Sequence, residues 1–126
     1  MIFGIGTDLC AADRMAAKLQ KPAFVQRVFS PAEQALLNER GGTHRAETAA
    51  ANFAAKEAFL KAAGTGLREP FSLCEIEAIR QENGAPAYRF SGRTAEWVQA
   101  RSLTARLSLS HEGGMALAFC TLEMET

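Results

Sequence analysis

Phe53-Ala54-Ala55-Lys56-Glu57-Ala58-Phe59-Leu60-Lys61-Ala62-Ala63-Gly64-Thr65-Gly66 reads as a helix that runs into a glycine-flanked turn. Ala, Leu, Lys and Glu are strong helix formers. Gly64 stands where a helix C-terminus favours a left-handed residue, a conformation glycine adopts without steric cost. At about 100° per residue, Ala46, Ala50, Phe53, Ala54 and Leu60 gather on one stripe, and Glu57 and Lys61 fall inside it. A carboxylate and an amine one turn apart on an apolar stripe ask for a reason. One is a surface ion pair in the favourable Glu-before-Lys order, worth about 0.3–0.5 kcal/mol. The other is a metal-binding carboxylate followed by a lysine that reaches a phosphate.

Upstream of this helix, Ile2 to Leu9 forms a short strand, with Gly4 and Gly6 permitting close backbone approach. Ala11 to Gln20 is helical, Lys21-Pro22 interrupts it, and a short amphipathic piece follows. Ser30-Pro31-Ala32-Glu33 starts the next helix, with Ser as N-cap, Pro first and Glu three residues after the cap. That helix stops near Gly41-Gly42, and Thr43 opens the long helix that ends at Ala63.

Downstream the period changes. Leu73 to Gln81 is a strand, Asn83-Gly84 a hairpin turn, and Ala87 to Phe90 the return strand. Ser91 to Ser102 is helical, with Trp97 anchoring it to the core. Leu103 to Ser110 alternates at period two, His111-Glu112-Gly113-Gly114 turns the chain, and Met115 to Leu122 is the last strand. Helices lead and antiparallel strands dominate the second half, so the fold class is α+β, with helices packed on a small, mainly antiparallel sheet. The 126 residues are expected to form one domain, residues 1–126.

Composition excludes several classes. With 48% apolar residues a packed core is attainable, and a formal net charge of zero disfavours a nonspecific nucleic-acid binder. Arg14, Lys18, Lys21 and Arg27 still cluster in the first quarter, which charge patterning alone reads as a solvated helix face. Cys10, Cys74 and Cys120 are widely spaced and lack zinc-site spacing, which fits reduced thiols in a cytoplasmic protein. No signal peptide is recognisable, and no apolar run approaches the roughly 20 residues of a membrane span.

Three further places can carry chemistry. Asp8 follows Gly4-Ile5-Gly6-Thr7, but Leu9 stands where a dinucleotide fingerprint requires glycine. Asp8 is therefore a helix cap, or one of two carboxylates for Mg²⁺, with Glu57 as the other. Gly64-Thr65-Gly66 is a C-cap that can also present amides to an anion. His111 is an ordinary strand-end histidine or a phosphate donor, and Ser110-His111 is no hydrolase pair because adjacent strand residues face opposite ways.

Taken together these blocks resemble the holo-[acyl-carrier-protein] synthases, small phosphopantetheinyl transferases. Gly4-Ile5-Gly6-Thr7-Asp8 with Arg14 is similar to the family's N-terminal block. Phe53 to Ala58, Lys61-Ala62 and Gly64 to Gly66 match its central signature, and Ser108 to His111 with Ala116 and Ala118 its C-terminal block. The resemblance spans nearly the whole chain. It implies transfer of 4′-phosphopantetheine from coenzyme A to a serine of apo acyl carrier protein, as a step serving fatty acid biosynthesis. It implies Asp8 and Glu57 on Mg²⁺, Lys61 as a catalytic group on the phosphates, and Lys61, Gly64, Thr65, Gly66 and His111 around the coenzyme. The serine proton would go to a metal-held water or a nearby carboxylate. By the same resemblance Arg14, Lys18, Lys21, Arg27 and Arg45 meet the carrier protein or a neighbouring subunit, and the assembly is a homotrimer with sites between subunits. Two positions depart from the pattern: Asn52 replaces an arginine, and Ala85 a lysine in Asn83-Gly84-Ala85-Pro86. A phosphate contact from position 52 is expected to be weakened or lost. The competing readings are a noncatalytic module that binds coenzyme A or a carrier, and another Mg-dependent nucleotide-phosphate enzyme.

Overall fold

The computed structural model describes residues 1–125. The order is β1 (Ile2–Ala11), α1 (Ala12–Lys18), α2 (Pro22–Val28), α3 (Pro31–Asn38), α4 (Gly42–Ala63), a 3-10 turn (Leu73–Glu75), β2 (Ile76–Arg80), β3 (Pro86–Phe90), α5 (Gly92–Ala100), β4 (Leu103–Glu112) and β5 (Met115–Met124). Every pairing is antiparallel, but the strands divide into two sheets. The larger has the order β1-β5-β4; the smaller is the β2-β3 hairpin. The α+β class stands, and the single sheet expected above becomes two.

Long α4 is the spine. The helix-facing rows of the large sheet alternate as a half-buried strand should: Gly6 and Cys10 on β1, and Ala116, Ala118, Cys120 and Leu122 on β5. Small residues dominate these rows because strand and helix lie close together. A Cβ on Gly4 would collide with the carbonyl of Ala62, and one on Gly6 with the carbonyl of Ala58. On another side of α4, the Phe59 ring packs against Phe71, Phe90 and Trp97 with centroids 5.5, 4.8 and 6.4 Å away. Trp97 thus anchors α5 as its sequence suggests.

Four of the five residues of the apolar stripe drawn from periodicity, Ala46, Ala50, Ala54 and Leu60, are buried, but the stripe is not the only buried face of α4. This helix is buried on almost every side, and Phe53, Glu57 and Lys61 mark the line where it reaches the surface. An alanine-rich helix between two sheets gives periodicity little contrast to work with.

The opposite side carries the principal buried polar cluster. Lys56 is fully buried, and its Nζ donates to Glu33 Oε1 at 2.6 Å and to the carbonyls of Leu73 and Ile76 at 2.9 and 2.6 Å. Glu33 also accepts from the Ser30 amide at 3.0 Å, the Asn52 side chain at 3.0 Å and the Ala78 amide at 3.2 Å. Ser30 and Glu33 form the capping box read from sequence, and Ser30 donates to Glu77 as well. Burial pushes the Lys56 amine down and Glu33 pulls it back up. No buried side-chain polar atom lacks a partner among the described residues. One lysine thereby ties α3, α4, the 3-10 turn and β2 together.

Candidate active site

Asp8, Glu57 and Lys61 converge where β1 crosses α4. Asp8 belongs to the helix-facing row of β1, opposite Ala118. It is no helix cap: the N-cap of α1 is Ala11, which has no side-chain cap bond. Lys61 does not pair with Glu57. Its ammonium donates to Asp8 Oδ1 at 3.3 Å and to the Thr7 carbonyl at 2.9 Å. The surface Glu–Lys pair of the sequence reading is therefore replaced by a bridge from helix to strand.

Glu57 is half-buried, and its carboxyl is held above the ordinary range. Burial is the main cause, and the Asp8 charge adds to it; Lys61 and Lys18 pull the other way. The nearby Cys10 thiol is also pushed up, chiefly by burial, with Arg14, Lys18, Asp8 and Glu57 all within electrostatic reach. Two carboxylates from different elements thus share a partly dry, surface-accessible spot with lysines around it. Mg²⁺ suits such a pair, because it takes one or two carboxylates and leaves its other positions to water and phosphate oxygens. The upward pull on Glu57 is what a partly buried carboxylate beside another carboxylate experiences when its cationic neighbours compensate incompletely.

The remaining expected site residues lie at varying distances from this point. Gly64 is the left-handed C-cap of α4, with φ 87°, and its amide donates to the carbonyls of Leu60 and Lys61. Thr65 and Gly66 continue the turn in full exposure, just past Lys61. Arg14 and Lys18 lie on α1, both within electrostatic reach of Cys10 and Lys18 also of Glu57, whereas Lys21 precedes α2 and Arg27 ends it. The basic helix is thus two short helices, broken where Pro22 starts the second. Lys18 sits over the rings of Phe24 and Phe53, 5.3 and 5.8 Å from their centroids. Arg45 is half-buried near the start of α4.

His111 is not brought to Asp8 within the chain. It lies inside β4, not in a turn, and pairs with Ala116, which in turn pairs with Cys10. Two strand spacings, roughly 10 Å, separate β4 from β1 across β5. His111 instead lines a cleft with Arg40, His44, Glu47, Thr48 and Arg80. Sequence reading gave no role to Arg40 or Arg80, because neither belongs to a motif. Asn52 also departs from expectation. It is fully buried and accepts from the Arg80 guanidinium at 2.9 Å, so it faces the Glu33 cluster and not a ligand.

This fold is that of the 4′-phosphopantetheinyl transferase superfamily, whose family model matches residues 4–120. A holo-[acyl-carrier-protein] synthase of Variovorax paradoxus is 41% identical over 130 residues, covering 98% of each chain. The crystal structure of holo-[acyl-carrier-protein] synthase from Neisseria meningitidis superposes with a TM-score of 0.88 at 33% identity, covering 98% of this chain and 99% of that one. The Bacillus anthracis enzyme in complex with CoA (3′,5′-ADP) gives 0.85 at 32% identity, covering 99% of both. The chain belongs to the holo-[acyl-carrier-protein] synthase family of that superfamily.

Proposed function

We propose that this chain moves the 4′-phosphopantetheine arm of coenzyme A onto a serine hydroxyl of an apo acyl carrier protein, the step that readies the carrier for fatty acid synthesis. The serine hydroxyl gives its proton to a nearby carboxylate or to water, and its oxygen forms a bond to the phosphorus that bears the pantetheine. The bond from that phosphorus to the bridging oxygen breaks, and adenosine 3′,5′-bisphosphate leaves with the electron pair. The observation that carries the reading is the meeting of Asp8, Glu57 and Lys61 at one exposed point in a chain of this family. Asp8 and Glu57 would hold Mg²⁺, which when bound neutralises pyrophosphate charge. Lys61, already on Asp8, is placed to donate to phosphate oxygens as they gain charge. His111 contacts the 3′-phosphate of the nucleotide, and the turn that follows Gly64 offers the Thr65 and Gly66 amides nearby. Apo carrier protein, coenzyme A and Mg²⁺ incubated with the protein should yield carrier heavier by the phosphopantetheine arm in a mass spectrum. No gain with several carrier proteins would remove the reading.

A homotrimer with sites between subunits follows from two supports. The outer face of the large sheet is apolar: Ile5 is 61% exposed, Leu9 60%, Phe119 40% and Leu117 39%. Such a patch on a small protein marks an interface. The second support is the distance between His111 and Asp8 in one chain, which a neighbouring copy can close. Light scattering should return three times the 13.6 kDa chain mass; a monomer mass at micromolar concentration contradicts it.

Arg14, Lys18, Lys21 and Arg27 form the dock for the acidic carrier, with Arg14 and Lys18 nearest the carboxylates. Electrostatic docking acts mainly on association. Arg14→Glu should raise KM for carrier protein about tenfold and leave KM for coenzyme A within twofold. Equal effects on both substrates would count against a dock.

A further inference from the structure

The cleft below His111 holds more positive charge than its walls neutralise. Arg80 ends β2, and its guanidinium is half-buried. It donates to Asn52 Oδ1 at 2.9 Å and over a long 3.5 Å to the Ile79 carbonyl, both uncharged acceptors. Arg40 likewise meets no carboxylate: it donates to His44 Nε2 and the Thr48 hydroxyl, each at 2.9 Å. Among the described residues no ion pair engages either arginine. Glu33 lies behind Asn52, with its oxygens taken by Lys56, Ser30, Asn52 and Ala78. Glu47 is the one carboxylate on the cleft wall and bonds to neither arginine. Burial first, and then the charge of Arg40, lower the Arg80 pKa. Two guanidiniums facing one polar cleft, each with several donors to spare, call for an anion.

Asn52 supplies the second half of the argument. Its amide nitrogen is fixed by Glu33 Oε2 at 3.0 Å and the Ala78 carbonyl at 3.1 Å. That leaves its oxygen aimed at Arg80 and holds the guanidinium in place before any ligand arrives. Preorganisation of this kind lowers the ordering cost of binding. Position 52 therefore contributes an acceptor, and the cation comes from the neighbouring strand.

The geometry points to Arg80, steered by Asn52 and flanked by Arg40, as the group in this cleft that recognises a phosphomonoester: the 3′-phosphate of coenzyme A, alongside His111. This assignment rests on the transferase reading above and adds the residue that selects the phosphorylated coenzyme.

Coenzyme A and 3′-dephospho-coenzyme A, compared as donors, test it. The wild-type protein should prefer coenzyme A. Arg80→Gln should raise KM for coenzyme A by about ten- to a hundredfold, the range for a lost charged hydrogen bond. It should leave kcat and KM for the dephospho donor within twofold, so the preference collapses, and Arg80→Lys should restore part of it. Calorimetry should show the same loss for adenosine 3′,5′-bisphosphate and none for adenosine 5′-monophosphate. An Arg80→Gln protein that keeps the wild-type preference, or loses both donors equally, overturns the assignment. If circular dichroism finds that variant unfolded, Arg40→Gln decides, with partial collapse of the preference expected and an unchanged preference refuting it. A wild-type protein that transfers nothing to any carrier is a separate outcome, which removes the transferase reading and this assignment with it.

Discussion

Glu57→Gln should lose about 10²–10³-fold in kcat/KM, the scale of removing one electrostatic contact to developing charge. The substitution keeps shape and hydrogen-bonding capacity and deletes only the charge. Its effect on stability should have the opposite sign. The Glu57 carboxyl is raised in the folded protein by burial and by Asp8, so folding favours its protonated form. The stability this group lends is therefore full below the ordinary glutamate pKa and declines as pH rises through the raised value. At neutral pH and without divalent cation, Glu57→Gln should thus melt no lower than wild type. Added Mg²⁺ should raise the wild-type melting temperature, by the equivalent of about 2.7 kcal/mol at a hundredfold excess over Kd. The variant should show little of that rise. A Glu57→Gln protein with near-normal turnover, or with an undiminished Mg²⁺ shift, would refute the metal role.

Lys56→Met should cost about 3–5 kcal/mol, the range for breaking a buried ion pair from one side. Methionine fills much of the space of lysine, so the penalty is not mainly a cavity. Glu33 would keep its charge in the interior without its strongest partner, and the carbonyls of Leu73 and Ile76 would lose a donor. Total stability for a domain of ordinary size is about 5–15 kcal/mol, so the variant should lie near the unfolding threshold at growth temperature. Replacing Glu33 as well should give no full recovery, because Ser30, Asn52 and Ala78 also donate to that carboxylate. Urea unfolding measures both effects. A loss under about 1 kcal/mol for Lys56→Met would mean that the cluster contributes little.

The contrast between neighbours Lys56 and Glu57 bears on what sequence can reveal. The extent of α4 was legible because its stop signal, Gly64, is local. So was the start of α3, since Ser30, Pro31 and Glu33 satisfy one another within a single turn. The Asn83-Gly84 hairpin is local in the same sense. The facing of α4 was not legible: it depends on α3, which precedes it, and on β1, β5 and the small hairpin, which are remote in sequence. For the same reason periodicity singled out Glu57 and Lys61 but could not supply the partner that Lys61 takes. Asp8 lies 53 residues away from it along the chain. The family blocks named Asp8, Glu57, Lys61 and His111 as a set, and the fold of a single chain separates His111 from the other three. Arg80 went unnoticed because a lone arginine at a strand end acquires meaning only from Asn52 and Arg40, which the fold brings to it.

The contact of β1 with α4 has a further consequence for anyone reshaping this enzyme. Gly4 and Gly6 bring strand and helix together main chain to main chain, with no side chain between them. The gap between the two acidic groups is consequently a property of the backbone scaffold and not of how well the surrounding aromatics fit. Directed evolution for heat tolerance can therefore rework the Phe59–Phe71–Trp97 region with little retuning of that gap. Positions 4 and 6 are the exceptions: a single methyl group at either would act as a wedge between strand and helix, prying the acidic pair apart without altering either member.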